Sequence, residues 1–163
     1  MTPENYLQEL KERLLADGCD LQWVKPGPAD VMIGRRSDFK ALWMATKIHL
    51  FTIAAALPEV SVTTLEQFTD FAMQTAIDHK DRLPRGIQTG LAVFPTLISD
   101  SVEPAALHSA ARSQRLRFAC IARPTVIDTA TRTLGAYRGT PVAGIMYASY
   151  LRKKNEQYFP QPQ

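Results

Sequence analysis

Between Val31 and Leu57 the chain reads VMIGRRSDFKALWMATKIHLFTIAAAL, its longest nearly uninterrupted apolar pattern, and within it stand four cations, Arg35, Arg36, Lys40 and Lys47. A pattern that alternates first and then becomes continuously apolar is what a strand shows when it runs from a sheet margin into a covered centre. The middle of a sheet is expected here. A strand over 29–35 would be followed by Arg35-Arg36-Ser37-Asp38, which reads as a turn or a polar strand end. The longest strand would follow over 42–55, rich in β-formers and closed by Pro58.

On either side the same period signals give the other elements. A first helix is expected over 3–17: Thr2 can cap it, Pro3 suits its first position, Tyr6, Leu7, Leu10 and Leu14 form one stripe, and Gly18 stops it. CDLQWVK alternates and reads as a strand ended by Pro26-Gly27-Pro28. Thr63 and Glu66 form a capping box, which predicts a second helix over 63–82. Residues 87–98 resume a strand pattern, with Pro95 marking a bulge, an edge or an early end. A short helix over 101–111, a strand over 115–122, and a hairpin with arms at 124–128 and 132–137 come next. A last helix is expected over 142–157, with Ile145, Met146, Ser149 and Tyr150 inward and cations near its favourable carboxyl end.

The chain has 163 residues, 45% of them hydrophobic and 21% charged. That size and balance suit one folded domain with a real core and exclude a disordered or fibrous chain. Residues 1–159 are expected to form that domain and 160–163 a frayed tail. The fold class expected is α+β or α/β, a central mixed sheet flanked by helices in the order α-β-β-β-α-β-α-β-β-β-α. No signal-peptide stretch and no run of eighteen apolar residues occurs, so a cytoplasmic location is expected. Cys19 and Cys120 lack metal-ligand spacing and read as buried reduced thiols.

Pro28-Ala29-Asp30 at the start of the second strand and Ala45-Thr46-Lys47 on the third form part of a pattern when taken with the order helix, three strands, helix, strand, helix, strand. In that order and those residues the chain resembles the restriction-endonuclease-like fold. There a strand-borne Asp and a following (D/E)xK bind Mg²⁺ and activate water. The resemblance implies a nuclease-like core, but Ala45 stands where the second carboxylate belongs, which implies scaffold use rather than phosphodiester hydrolysis.

No nucleophile motif, phosphate loop or metal-binding spacing is complete, so no catalytic, cofactor-binding or metal-binding residue is assigned and no cofactor is expected. What stands out is cationic and aromatic. Arg35, Arg36, Lys40 and Lys47 form one group, with His49 beside them in the apolar strand. Lys80, Arg82 and Arg85 form a second after the second helix. Arg138 precedes the last helix, and Tyr147, Arg152, Lys153 and Lys154 lie on it. Aromatic and Arg residues are enriched at interfaces. The first expectation is therefore a non-enzymatic binding or accessory protein acting through a protein interface, with a protein partner or a second copy. A nucleic-acid-associated protein using the two cation groups is the alternative. A small-molecule enzyme using His49 with Asp30 or Lys47 is a third.

Overall fold

The computed structural model describes residues 1–40, 46–80, 89–112, 114–118, 120–139 and 145–163. Helix α1 (Pro3–Ala16) begins where Thr2 Oγ1 accepts the Asn5 N–H at 3.1 Å. It ends before Gly18, whose φ of 78° few other residues adopt. Strands β1 (Asp20–Val24), β2 (Val31–Lys40) and β3 (Thr46–Ala56) form an antiparallel meander. Helix α2 (Val62–Lys80) then crosses over to β4 (Thr89–Ser99), which runs parallel to β3. Helix α3 (Pro104–Arg112) leads to β5 (Arg115–Arg117), β6 (Cys120–Ala122), β7 (Thr125–Asp128) and β8 (Thr133–Ala136), and helix α4 (Ile145–Tyr158) follows. Among the described residues the result is a mixed eight-stranded sheet with four helices, an α+β arrangement in the expected order of elements apart from one additional strand between α3 and α4.

Sheet order is β1-β2-β3-β4-β6-β5, with β7 also pairing to β4 and β8 to β7. Two cores lie on its two faces. Tyr6, Leu10 and Leu14 of α1 and Tyr150, Leu151 and Tyr158 of α4 meet Ile48, Leu50 and Phe94 on one face. Leu65, Met73 and Ala76 of α2 and Ala106 and Ala110 of α3 meet Phe51, Ile53 and Val93 on the other. Strands β3 and β4 are covered on both sides, which is why they read as apolar runs. The Val31–Leu57 stretch therefore does supply the sheet centre.

Several expectations are corrected. Arg35-Arg36-Ser37-Asp38 is not a turn: β2 continues through it, paired with Ile48 to Phe51, because alternate polar side chains find partners on opposite faces. Helix α2 starts a residue earlier than the capping box implied, with Ser61 Oγ accepting the Thr64 N–H at 3.1 Å. Helix α3 starts at Pro104 rather than Ser101. Residues 115–117 and 120–122 are the two antiparallel arms of a hairpin rather than one strand, Arg117 pairing with Cys120 and Phe118 taking a φ of 47°. Pro95 lies mid-strand, beside Ile53. It is tolerated because the strand on its other side is broken there, β6 covering Leu91 to Val93 and β7 beginning at Thr96. Ser149 of α4 faces outward. The tail at 160–163 is held: Tyr6 Oη donates to the Pro160 carbonyl at 2.8 Å, and Gln161 reaches the Arg132 carbonyl. The hairpin of β7 and β8 has the expected arms, its turn closed by Asp128 Oδ1 accepting the N–H groups of Ala130 and Thr131.

Candidate functional site

An open cleft of about 430 Å³ lies between β1, β2 and α2. Asp20, Gln22 and Val24 of β1 line one side, Ile33 and Arg35 of β2 and Phe51 of β3 the floor, and Thr75, Asp78 and His79 of α2 the other side. Apolar walls with a few convergent polar groups are the usual make-up of a binding cleft. Arg35 donates to Nε2 of His79, because a guanidinium carries no acceptor. The other terminal nitrogen of Arg35 lies 3.8 Å from Asp20. His79 also packs edge-on against Phe51 at 5.2 Å. One step along the ladder toward Lys47, Ser37 Oγ and His49 Nδ1 are 2.6 Å apart on the same sheet face.

Strand β1 is itself the end of the sheet. Its Trp23 is 46% exposed on the face opposite the cleft, so the open edge has an indole on one side and the cleft on the other. The far end of the sheet, β5, carries Arg115 and Arg117 around Leu116, and charges of that kind discourage edge pairing. On β1 the only charge is Asp20.

A second polar cluster lies on the other face and is internally satisfied. Arg36 binds Asp38 through two hydrogen bonds of 2.8 Å and Asp17 at 2.6 Å, and Lys154 meets Asp17 at 2.8 Å. Tyr158 donates to Asp17 and Tyr150 to Asp38. Burial alone would raise both carboxyl pKa values, but hydrogen bonds outweigh it and hold them below the usual carboxylate range: Lys154, Tyr158 and Arg36 on Asp17, Arg36 and Tyr150 on Asp38. The Asp38 hydrogen bond raises the Arg36 pKa further, so this guanidinium stays charged. Burial, then the carboxylate each phenol serves, pushes up Tyr150 and Tyr158. Such a cluster fixes α1, β2 and α4 together.

The predicted site residues are accordingly dispersed. Arg35 and Arg36 project to opposite sheet faces, and Arg36 and Lys154 are engaged in ion pairs. Lys40 and Lys80 are the last residues of β2 and α2, while Ala45, Arg82 and Arg85 lie outside the described residues. Arg138 bonds Asn155 Oδ1 and the Phe159 carbonyl, both at 2.9 Å. Tyr147 packs over Gly90, where a Cβ would sit 3.0 Å from its ring, rather than facing solvent. Only Arg152 and Lys153 of the last group are exposed. Asp30 precedes β2 at the end where Met32 pairs with Ala54, whereas Lys47 pairs with Phe39 at the other end. Ser37, the partner of His49, lies seven positions along the strand from Asp30. At the rise of an extended chain that is roughly 20 Å. Asp30 therefore joins neither Lys47 nor His49. Among the cleft residues, Asp78 and His79 were given no site role in the sequence, and His79 could be placed there only by folding α2 back over β3.

Among the described residues no group of three or more His, Cys, Asp or Glu side chains converges as a metal site, and no helix is long and apolar enough to cross a membrane. The thiols of Cys19 and Cys120 form no disulfide and are buried, one in each of the two cores. Comparison with protein-family models, curated proteins and solved structures finds no match for the chain.

Proposed function

We propose that this chain is a non-enzymatic accessory protein that acts through a protein interface on the open edge of β1, with a second copy as the first occupant of that edge. The observation that carries this reading is the self-complementarity of Asp20–Val24 when it pairs antiparallel with itself about Gln22. Leu21 then faces Trp23 of the other copy twice on one sheet face, and Asp20 faces Val24 on the other. The exposed indole is covered, no like charges meet, and the two sheets continue into each other. The clefts with Arg35 and His79 come to lie on the same side of the joined sheet, one to each side of the dyad. The guarded edge at β5 makes no such pairing, because the same operation sets Arg115 against Arg117.

Gln22 meets itself on the dyad, and it is exposed in the single chain. Gln22→Lys therefore opposes two cations in the dimer and leaves the monomer fold untouched. Light scattering coupled to size exclusion at tens of micromolar should give a dimer for the wild type and a monomer for Gln22→Lys, with identical circular dichroism. A monomeric wild type, or a Gln22→Lys dimer of equal strength, overturns the proposal.

A further inference from the structure

Arg123 is 1% exposed, one of the largest fully buried side chains, yet neither Nη1 nor Nη2 has a hydrogen-bond partner. Its backbone N–H donates to the Val93 carbonyl at 3.0 Å, and the following Pro124 holds it extended at the break between β6 and β7. Two contacts orient the side chain. Nε donates to Gln114 Oε1 at 3.2 Å. The guanidinium stacks 5.1 Å from the Tyr137 ring centroid. The plane is thus fixed with its Nη1–Nη2 edge left over, the edge that takes a planar oxyanion through two parallel hydrogen bonds.

No carboxylate among the described residues bridges this cation. Burial pushes its pKa down, the Tyr137 phenol pushes the other way, and the like charge of Arg152 adds to the lowering. An arginine does not shed its proton at neutral pH, and a buried charge without a partner is costly. Such a group is stable in place when an anion meets it. Gln114 and Tyr137 beside it are half-exposed, and Arg152 on α4, whose charge reaches Arg123, is exposed, so the region carries a positive potential toward solvent.

We propose that Arg123 is the base of a binding site for a small oxyanion, a carboxylate or a phosphate, held end-on by Nη1 and Nη2 with Tyr137 and Gln114 fixing the guanidinium and the charge of Arg152 adding to the attraction. This site lies on the α4 side of the sheet at its β6–β5 end, away from the β1 edge, and stands independently of the proposed interface.

The test is thermal unfolding of the full chain in acetate, in inorganic phosphate and in chloride at one ionic strength, for the wild type, Arg123→Met and Arg123→Lys. With the preferred anion at about ten times its Kd, the wild-type Tm should exceed that in chloride by about 3 °C or more. Acetate against phosphate tells a carboxylate ligand from a phosphoryl one. Arg123→Met should show no anion shift and, relieved of an unpaired charge, be no less stable than the wild type in chloride. Arg123→Lys, which keeps the charge without the fork, should lose most of the shift and serves alone where Arg123→Met does not fold. Equal wild-type Tm in all three salts, or the same shift in the variants, overturns the proposal.

Discussion

Asp17 shows how one side chain can organise two ends of a sequence. It stands at the carboxyl cap of α1 and accepts from Arg36 of β2, Lys154 and Tyr158 of α4. Its side chain is 13% exposed, so loss of its charge leaves Lys154 and Arg36 partly uncompensated. Asp17→Asn should cost about 3 kcal/mol in urea unfolding, and Tyr158→Phe, which removes one hydrogen bond to a charged acceptor, about 1.5 kcal/mol. The pH dependence follows from the same contacts. The carboxyls of Asp17 and Asp38 titrate below their unfolded values near 4, so as pH falls the unfolded chain takes up protons first. Their contribution is complete above the unfolded value and is lost as pH falls from about 4 through the folded values. The urea midpoint should therefore drop between pH 6 and pH 3, and drop less in Asp17→Asn. An equal drop in both would show that other carboxylates carry the acid sensitivity.

At the scale of elements, close approach decides which glycines are replaceable. A Cβ at Gly135 in β8 would lie 2.4 Å from the Leu107 carbonyl oxygen and 2.9 Å from its Cα, both backbone of α3. Neither can give without moving the helix. Gly135→Ala should cost about 3 kcal/mol as an overpacked contact. At Gly27, with nothing within 4 Å of a Cβ, alanine should be nearly neutral in the same urea assay. The elements most legible in the sequence were those closed by local chemistry. Thr2, Gly18 and Asp128 act on backbone within a few residues, so α1 and the β7–β8 hairpin could be placed directly. Arg35-Arg36-Ser37-Asp38 was misread because four adjacent polar residues resemble a turn. Their partners, His79 and Asp20 on one side and Asp17 and Tyr150 on the other, come from sequence-distant elements. For the same reason Lys154 and Tyr147 read as contacts for a partner. Which face a side chain takes was legible from parity once β2 was known to run on, but which helix covers that face was not.

Over the whole molecule, the sheet is assembled from both ends of the chain, and the last turn of α4 closes it. Tyr158 and Phe159 are fully buried and meet Phe94 of the central strand edge-on, at ring separations of 6.4 and 5.8 Å. The backbone after the helix is caught residue by residue: Arg13 Nε donates to the Tyr158 carbonyl, Arg138 to that of Phe159, and Tyr6 to that of Pro160. Burial raises the Tyr6 pKa to about 12, so its hydroxyl remains a donor throughout the neutral range. The C-terminal segment is therefore a structural part of the first core. Replacing one ring, Phe159→Ala, should leave a folded chain weakened by about 3–5 kcal/mol, since the cavity opens beside a central strand. Removing residues 158–163 takes away both rings, three backbone acceptors and the Tyr158 bond to Asp17 together, against a total stability of about 5–15 kcal/mol for a domain of this kind. The truncated chain should lose its cooperative urea transition, bind a hydrophobic dye and keep much of its far-ultraviolet dichroism, because the α2 and α3 side of the sheet retains its own core. A truncated chain that unfolds at the wild-type midpoint would mean that the helix, without its last turn and the residues beyond it, suffices to cover the sheet.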